Sequence, residues 1–144
     1  MIPYRQLEHT ADIGLEISGH TIEELFINGV KGLYHLILPE LEVAETEIIP
    51  KCFHPTKLEL SAGTKEDLLV QWLNEFIYKC YSEKKYPEEI KIDSITDKHL
   101  IAEIDWQMYS HVLPVEIEIK AATYHNVFMK KTGDIFQVKI IFDV

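Results

Sequence analysis

Apolar and polar residues along this chain keep two distinct rhythms. Ile13, Leu15 and Ile17 alternate with Gly14, Glu16 and Ser18, the period of two expected of a strand with one buried face. The same period recurs at Thr56–Ala62, where Leu58 and Leu60 oppose Lys57 and Glu59, and at Leu100–Trp106, where Ala102 and Ile104 oppose Glu103 and Asp105. Val115, Ile117 and Ile119 oppose Glu116, Glu118 and Lys120, and Phe136, Val138, Ile140 and Phe142 oppose Gln137 and Lys139. A short strand is also predicted over Tyr4–His9, and Gly133-Asp134 predicts the turn before the last strand.

Two stretches change to helical spacing. Thr21-Ile22-Glu23-Glu24 forms a capping box, and Ile22, Leu25, Phe26, Val30, Leu33, Tyr34 and Ile37 then recur on one face, so a helix is predicted over about 21–37, ended by Pro39. A second begins at Thr64, with Asp67 three residues on. It buries Leu68, Leu69, Trp72, Leu73, Phe76, Ile77 and Cys80 and stops before Pro87, a span of about 64–83. Half-wet strands point to antiparallel sheet, and strict β-α-β alternation is missing. The expected class is therefore α+β, mostly antiparallel sheet packed against two amphipathic helices. No repeat, low-complexity tract or Gly/Ser linker divides residues 1–144, which read as one domain.

Composition narrows the functional classes. Hydrophobic residues are 47% and charged residues 26%, a globular balance. No apolar run approaches the roughly 20 residues of a membrane helix, and Met1–Leu7 lacks a signal-peptide core, so a cytoplasmic location is expected. The formal net charge of -10 repels phosphate backbones, which argues against direct nucleic-acid binding and suits a basic protein partner or acidic clusters holding cations. Cys52 and Cys80 have neither redox nor zinc-ligand spacing, Cys80 falls on an apolar helical face, and no disulfide between them is expected. Trp72 and Trp106 lie in apolar stripes and read as core.

Three places could carry chemistry. His9-Thr10-Ala11-Asp12-Ile13-Gly14 sets a histidine and an aspartate where a strand begins, although a backbone-bonded turn is the simpler reading of the spacing. Lys120-Ala121-Ala122-Thr123-Tyr124-His125 puts a lysine on the polar side of a strand, either to meet an anion or as a solvated neighbour of Glu116 and Glu118. The last strand runs to Phe142 and stops at Asp143-Val144, so the Asp143 carboxylate and the Val144 main-chain carboxylate are expected close together. With Asp12 they would form a set of hard oxygen donors, which favours Ca²⁺ or Mg²⁺ over zinc. Spacing alone does not bring Asp12 to Asp143. There is no GxGxxG, P-loop or Gly-x-Ser-x-Gly.

Together these segments resemble the archease family. His9–Gly14 with Gly19–Phe26 is similar to the family's opening, Asp67–Glu75 to its second-helix signature, and Glu118–His125 and Phe142–Val144 to its closing motifs, in the same order over nearly the whole chain. The resemblance implies a non-enzymatic helper of the GTP-dependent 3′-phosphate tRNA-splicing RNA ligase, promoting its guanylylation and repeated turnover. It implies functional positions at Asp12, Lys120 and Asp143, with the Val144 carboxylate beside a divalent metal, and supporting roles at most for His9 and His125. Two other readings compete: a chaperone or binding module for an RNA-modifying enzyme such as a tRNA methyltransferase, and a metal-dependent phosphohydrolase.

Overall fold

The structure, a computed structural model, describes residues 1–8, 12–38, 48–49, 55–109 and 118–144. Its elements run β1 (Tyr4–Glu8), β2 (Ile13–Gly19), α1 (Ile22–Ile37), β3 (Ile48–Ile49), β4 (Thr56–Ser61), α2 (Lys65–Glu83), β5 (Lys85–Ile95), β6 (His99–Tyr109), β7 (Ala121–Ala122), β8 (Lys130–Thr132) and β9 (Ile135–Asp143). The class is α+β, as the two rhythms predict, and every strand pairing described is antiparallel.

Both helices start on the predicted caps. Thr21 and Thr64 keep extended backbones, and their hydroxyls accept the Glu24 and Asp67 N–H groups at 3.1 Å each. α1 ends at Ile37, and α2 ends through Lys84 in the left-handed region (φ 54°), which turns the chain directly into β5. Pro39, Cys52 and His9 lie outside the described residues.

The strands form two sheets. One has the order β1-β2-β9-β7, with β8 also on β9; in the other, β6 pairs with β3, β4 and β5. Their apolar faces close with the helices on one core. Leu15, Ile17, Ile140 and Phe142 come from the first sheet, Leu100, Ala102, Ile104 and Trp106 from the second, and Leu33, Leu69, Trp72 and Phe76 from the helices. Trp72 is fully buried and its indole N–H donates to the Phe26 carbonyl at 2.9 Å, which ties α2 to α1. Cys80 is buried, as its position on the apolar face predicts. At Gly19, the last residue of β2, a Cβ would sit 2.5 Å from the Leu25 nitrogen, so the turn into α1 needs glycine. Gly133, at φ +61°, makes the two-residue turn from β8 to β9 where a turn is predicted.

Two strand expectations change. β3, β5 and β8 are additions; in β5, Ile90 and Ile92 alternate with Glu89, Lys91 and Asp93, but Pro87 argues against strand at its start. The strand accommodates Pro87 by shifting register between Pro87 and Glu89. The strand predicted over Val115–Ile119 lies outside the described residues up to Ile117. Its described end, Glu118–Lys120, belongs to no strand although Ile119 is buried between exposed neighbours. β7 begins only at Ala121.

Candidate functional site at the end of the first sheet

The pairing of β2 with β9 decides which polar residues meet. Ile13 stands opposite Phe142, Leu15 opposite Ile140 and Ile17 opposite Val138. The pairing ends at Ile13 and Phe142, and one further step along that register would set Asp12 against Asp143. Directly opposed residues point to the same side of a sheet, with Cβ atoms about 5 Å apart. Asp143, beside the core-facing Phe142 in β9, is exposed, and Asp12, just before β2, is half-buried.

Lys120 reaches the same place from the other edge of β9. Ala121 is the register partner of Asp143, and the Lys120 N–H donates to the Asp143 carbonyl at 2.8 Å. Thr123 closes the pairing, because its backbone N–H and its hydroxyl both donate to the Ile141 carbonyl at 2.9 Å. Three positions 108 and 23 residues apart in the chain (12 to 120, 120 to 143) therefore flank or end the adjacent strands β2, β7 and β9. Val144, 43% exposed, follows directly. His125 lies past Thr123 in an exposed turn, its ring nitrogen 3.3 Å from the Asn126 amide, and Asn126 itself is left-handed (φ 52°).

Among the described residues no three His, Cys, Asp or Glu side chains form a group that could hold a metal ion. The donors that the register would bring together are fewer: the Asp12 and Asp143 carboxylates, next to the paired Ile13 and Phe142. Such a set fits a hard cation that keeps several waters, as Mg²⁺ does, or a Ca²⁺ whose shell is completed by water or another molecule.

Sequence reasoning missed the side chains that hold the Lys120 segment. The hydroxyl of Tyr81 accepts the Ile119 N–H at 2.9 Å, Asn74 bonds both polar groups of Ala122, and the Glu66 carboxylate accepts the Met129 N–H at 3.2 Å. All three project from α2 beside its apolar stripe. Burial pushes the Tyr81 phenol above its ordinary 10.0; the Ile119 N–H counters this in part, and the nearby Cys80 and Glu118 add to the rise. The one hint in the chain is that Asn74 interrupts the Trp72–Ile77 run, a signal with no partner attached.

These features define a class first: an α+β protein of two antiparallel sheets and two helices around one core, with carboxylates and a lysine gathered where one sheet ends. Residues 4–144 match the profile of the Archease protein family, and the chain belongs to that family. It is 28% identical to Protein archease of Methanosarcina barkeri over 146 residues, covering 98% of this chain and 95% of that protein. Protein archease of Thermoplasma acidophilum is 30% identical over 147 residues, with 99% and 94% covered. An archease crystal structure from Thermotoga maritima superposes with a TM-score of 0.59 at 26% identity, covering 97% of this chain and 96% of that one. The solution structure of Methanobacterium thermoautotrophicum protein 1598 shares the fold with a TM-score of 0.69 at 20% identity over the full length of both.

Proposed function

We propose that this chain is an accessory protein that activates a GTP-dependent tRNA-splicing RNA ligase, acting in the cytoplasm and forming no RNA bond itself. It promotes guanylylation of the ligase and its repeated turnover. Asp12, Asp143 and the Val144 carboxylate hold a divalent cation, Ca²⁺ or Mg²⁺, and Lys120 pairs with a phosphate of GTP or an acidic group of the ligase. When bound, the ion supplies positive charge able to polarise a phosphate oxygen. The chain's own carboxylates keep that charge at the sheet end, and its -10 net charge draws it to a basic RNA enzyme rather than to RNA. The observation that supports this reading is the pairing of β2 and β7 with β9, in which Ile13, next to Asp12, is opposite Phe142, and Ala121, next to Lys120, is opposite Asp143.

Asp143→Ala tests it. Replacing residues that merely orient a metal ligand costs about 10–100-fold in metal affinity, so loss of a ligand is expected to weaken Ca²⁺ or Mg²⁺ binding and ligase guanylylation by at least about tenfold. Unfolding temperature is expected to stay at the parent value, because Asp143 is exposed. A folded Asp143→Ala protein that stimulates the ligase normally rules the reading out.

The Thermotoga relative is described as a possible chaperone, which favours a second reading: a binding module that protects or controls the assembly of an RNA-modifying enzyme such as a tRNA methyltransferase. That role predicts indifference to Asp12 and Asp143 replacement. Turnover of a phosphate substrate by the chain alone would replace both readings with a phosphohydrolase.

A further inference from the structure

The short stretch Ile119–Thr123 has two backbone edges to satisfy, and β9 takes one of them. Lys120 N–H goes to the Asp143 carbonyl and Thr123 N–H to the Ile141 carbonyl. Along the other edge an ordinary sheet would add a strand. Here side chains of α2 stand in for it. The Tyr81 hydroxyl takes the Ile119 N–H at 2.9 Å. The Asn74 Oδ1 accepts the Ala122 N–H at 2.8 Å, and Asn74 Nδ2 donates to the Ala122 carbonyl at 3.3 Å. A carboxamide carries one donor face and one acceptor, as a peptide group does, so Asn74 pairs with Ala122 as a strand residue would.

Attachment of the segment does not require these bonds, because Ile119 and Ala122 are already buried in the core, at 1% and 4% exposure. What the polar pairs add is position. Apolar packing is non-directional and lets a short strand slide, whereas hydrogen bonds on either side of Lys120 set its place along β9. We propose that Asn74 and Tyr81 are positioning residues that hold Lys120 in register beside Asp143, so that the lysine acts together with the carboxylates at the sheet end. This deepens the ligase-activating role and rests on it for its functional arm.

The experiment uses the full chain with Asn74→Leu, Tyr81→Phe, Lys120→Ala and the Asn74→Leu/Lys120→Ala pair. Residue-resolved amide exchange is the first readout. Asn74→Leu is expected to speed exchange at Ala122 by about tenfold or more while Leu15 and Ile140 keep their protection, and Tyr81→Phe to do the same at Ile119. The second readout is ligase stimulation. Lys120→Ala is expected to lower it strongly in the parent and hardly at all in the Asn74→Leu background, since the lysine is then already displaced. Asn74→Asp keeps the acceptor for the Ala122 N–H and is expected to retain that amide's protection, which serves should the Leu variant fail to fold. Unchanged exchange at Ala122 and Ile119, or an equal cost of Lys120→Ala in both backgrounds, overturns the proposal. A parent chain that stimulates no ligase removes the ligase reading, while the exchange readout still decides the clamp.

Discussion

The β5–β6 hairpin and the 119–129 segment both lie against α2, yet they are held by opposite means. β5 and β6 contribute 11 residues each and pair along their length in an antiparallel ladder that shifts register between Pro87 and Glu89 and between Ile92 and Ser94. Their turn is local too: Thr96 N–H donates to the His99 carbonyl at 2.8 Å, and the Thr96 hydroxyl accepts the Lys98 and His99 N–H groups at 3.3 and 3.1 Å. The 119–129 segment has a two-residue strand, and three of its N–H groups end on Tyr81, Asn74 and Glu66, which are 38, 48 and 63 residues away. A ladder spreads its hold over many equivalent bonds. A clamp of side chains concentrates it, so one substitution can loosen the register of the segment, still buried at Ile119 and Ala122, and leave the fold standing. That is the arrangement expected where supporting hydrogen bonds fix a residue in place on a rigid element.

Three substitutions sharpen the contrast, beginning with the one that should erase it. Trp72→Ala removes the fully buried indole that packs on Phe26 and Phe76, the latter in turn against Trp106 of β6, and it removes the indole bond to the Phe26 carbonyl of α1. A loss of about 3–5 kcal/mol is expected in urea unfolding, weakening hairpin and segment together. A variant that loosened only one of them would mean that α2 is not their shared support.

Tyr81→Phe should act on the segment alone, and its signature lies in alkaline pH. With the folded phenol pKa raised, the neutral form is favoured in the native state. The folded protein then keeps a proton that the unfolded chain releases. This contribution is present in full below 10.0, the unfolded value, and is lost as pH rises from there through the raised folded value. Unfolding measured from neutral to strongly alkaline pH should decline less steeply in Tyr81→Phe than in the parent. An identical slope would show that Tyr81 is not the group responsible.

Thr96→Ala should have the smallest effect and touch only the hairpin. Its hydroxyl is exposed, so about 0.5–1 kcal/mol is expected, with no change in Ala122 exchange.

Much of the scaffold was legible beforehand because its signals are local. Both helices begin on their predicted threonine caps, and β2, β4, β6 and β9 follow the apolar alternation, since each pattern reports burial of one face by its own element. β5 was hidden by Pro87, whose usual effect on a strand is offset here by a register shift. The end of the expected Val115–Ile119 strand keeps its alternation without a ladder, because the Ile119 N–H goes to Tyr81 rather than to a neighbouring strand.

Residue order alone determined the α+β class, the helix limits, the burial of Trp72, Trp106 and Cys80, and which polar residues deserved suspicion. It left open whether Asp12, Lys120 and Asp143 ever approach one another. Periodicity specifies which face an element buries and says nothing of which distant element shares its edge. That choice belongs to the antiparallel register of β2 and β7 on β9 and to the side chains of α2 that hold the last of these in place, and only the packed chain makes it.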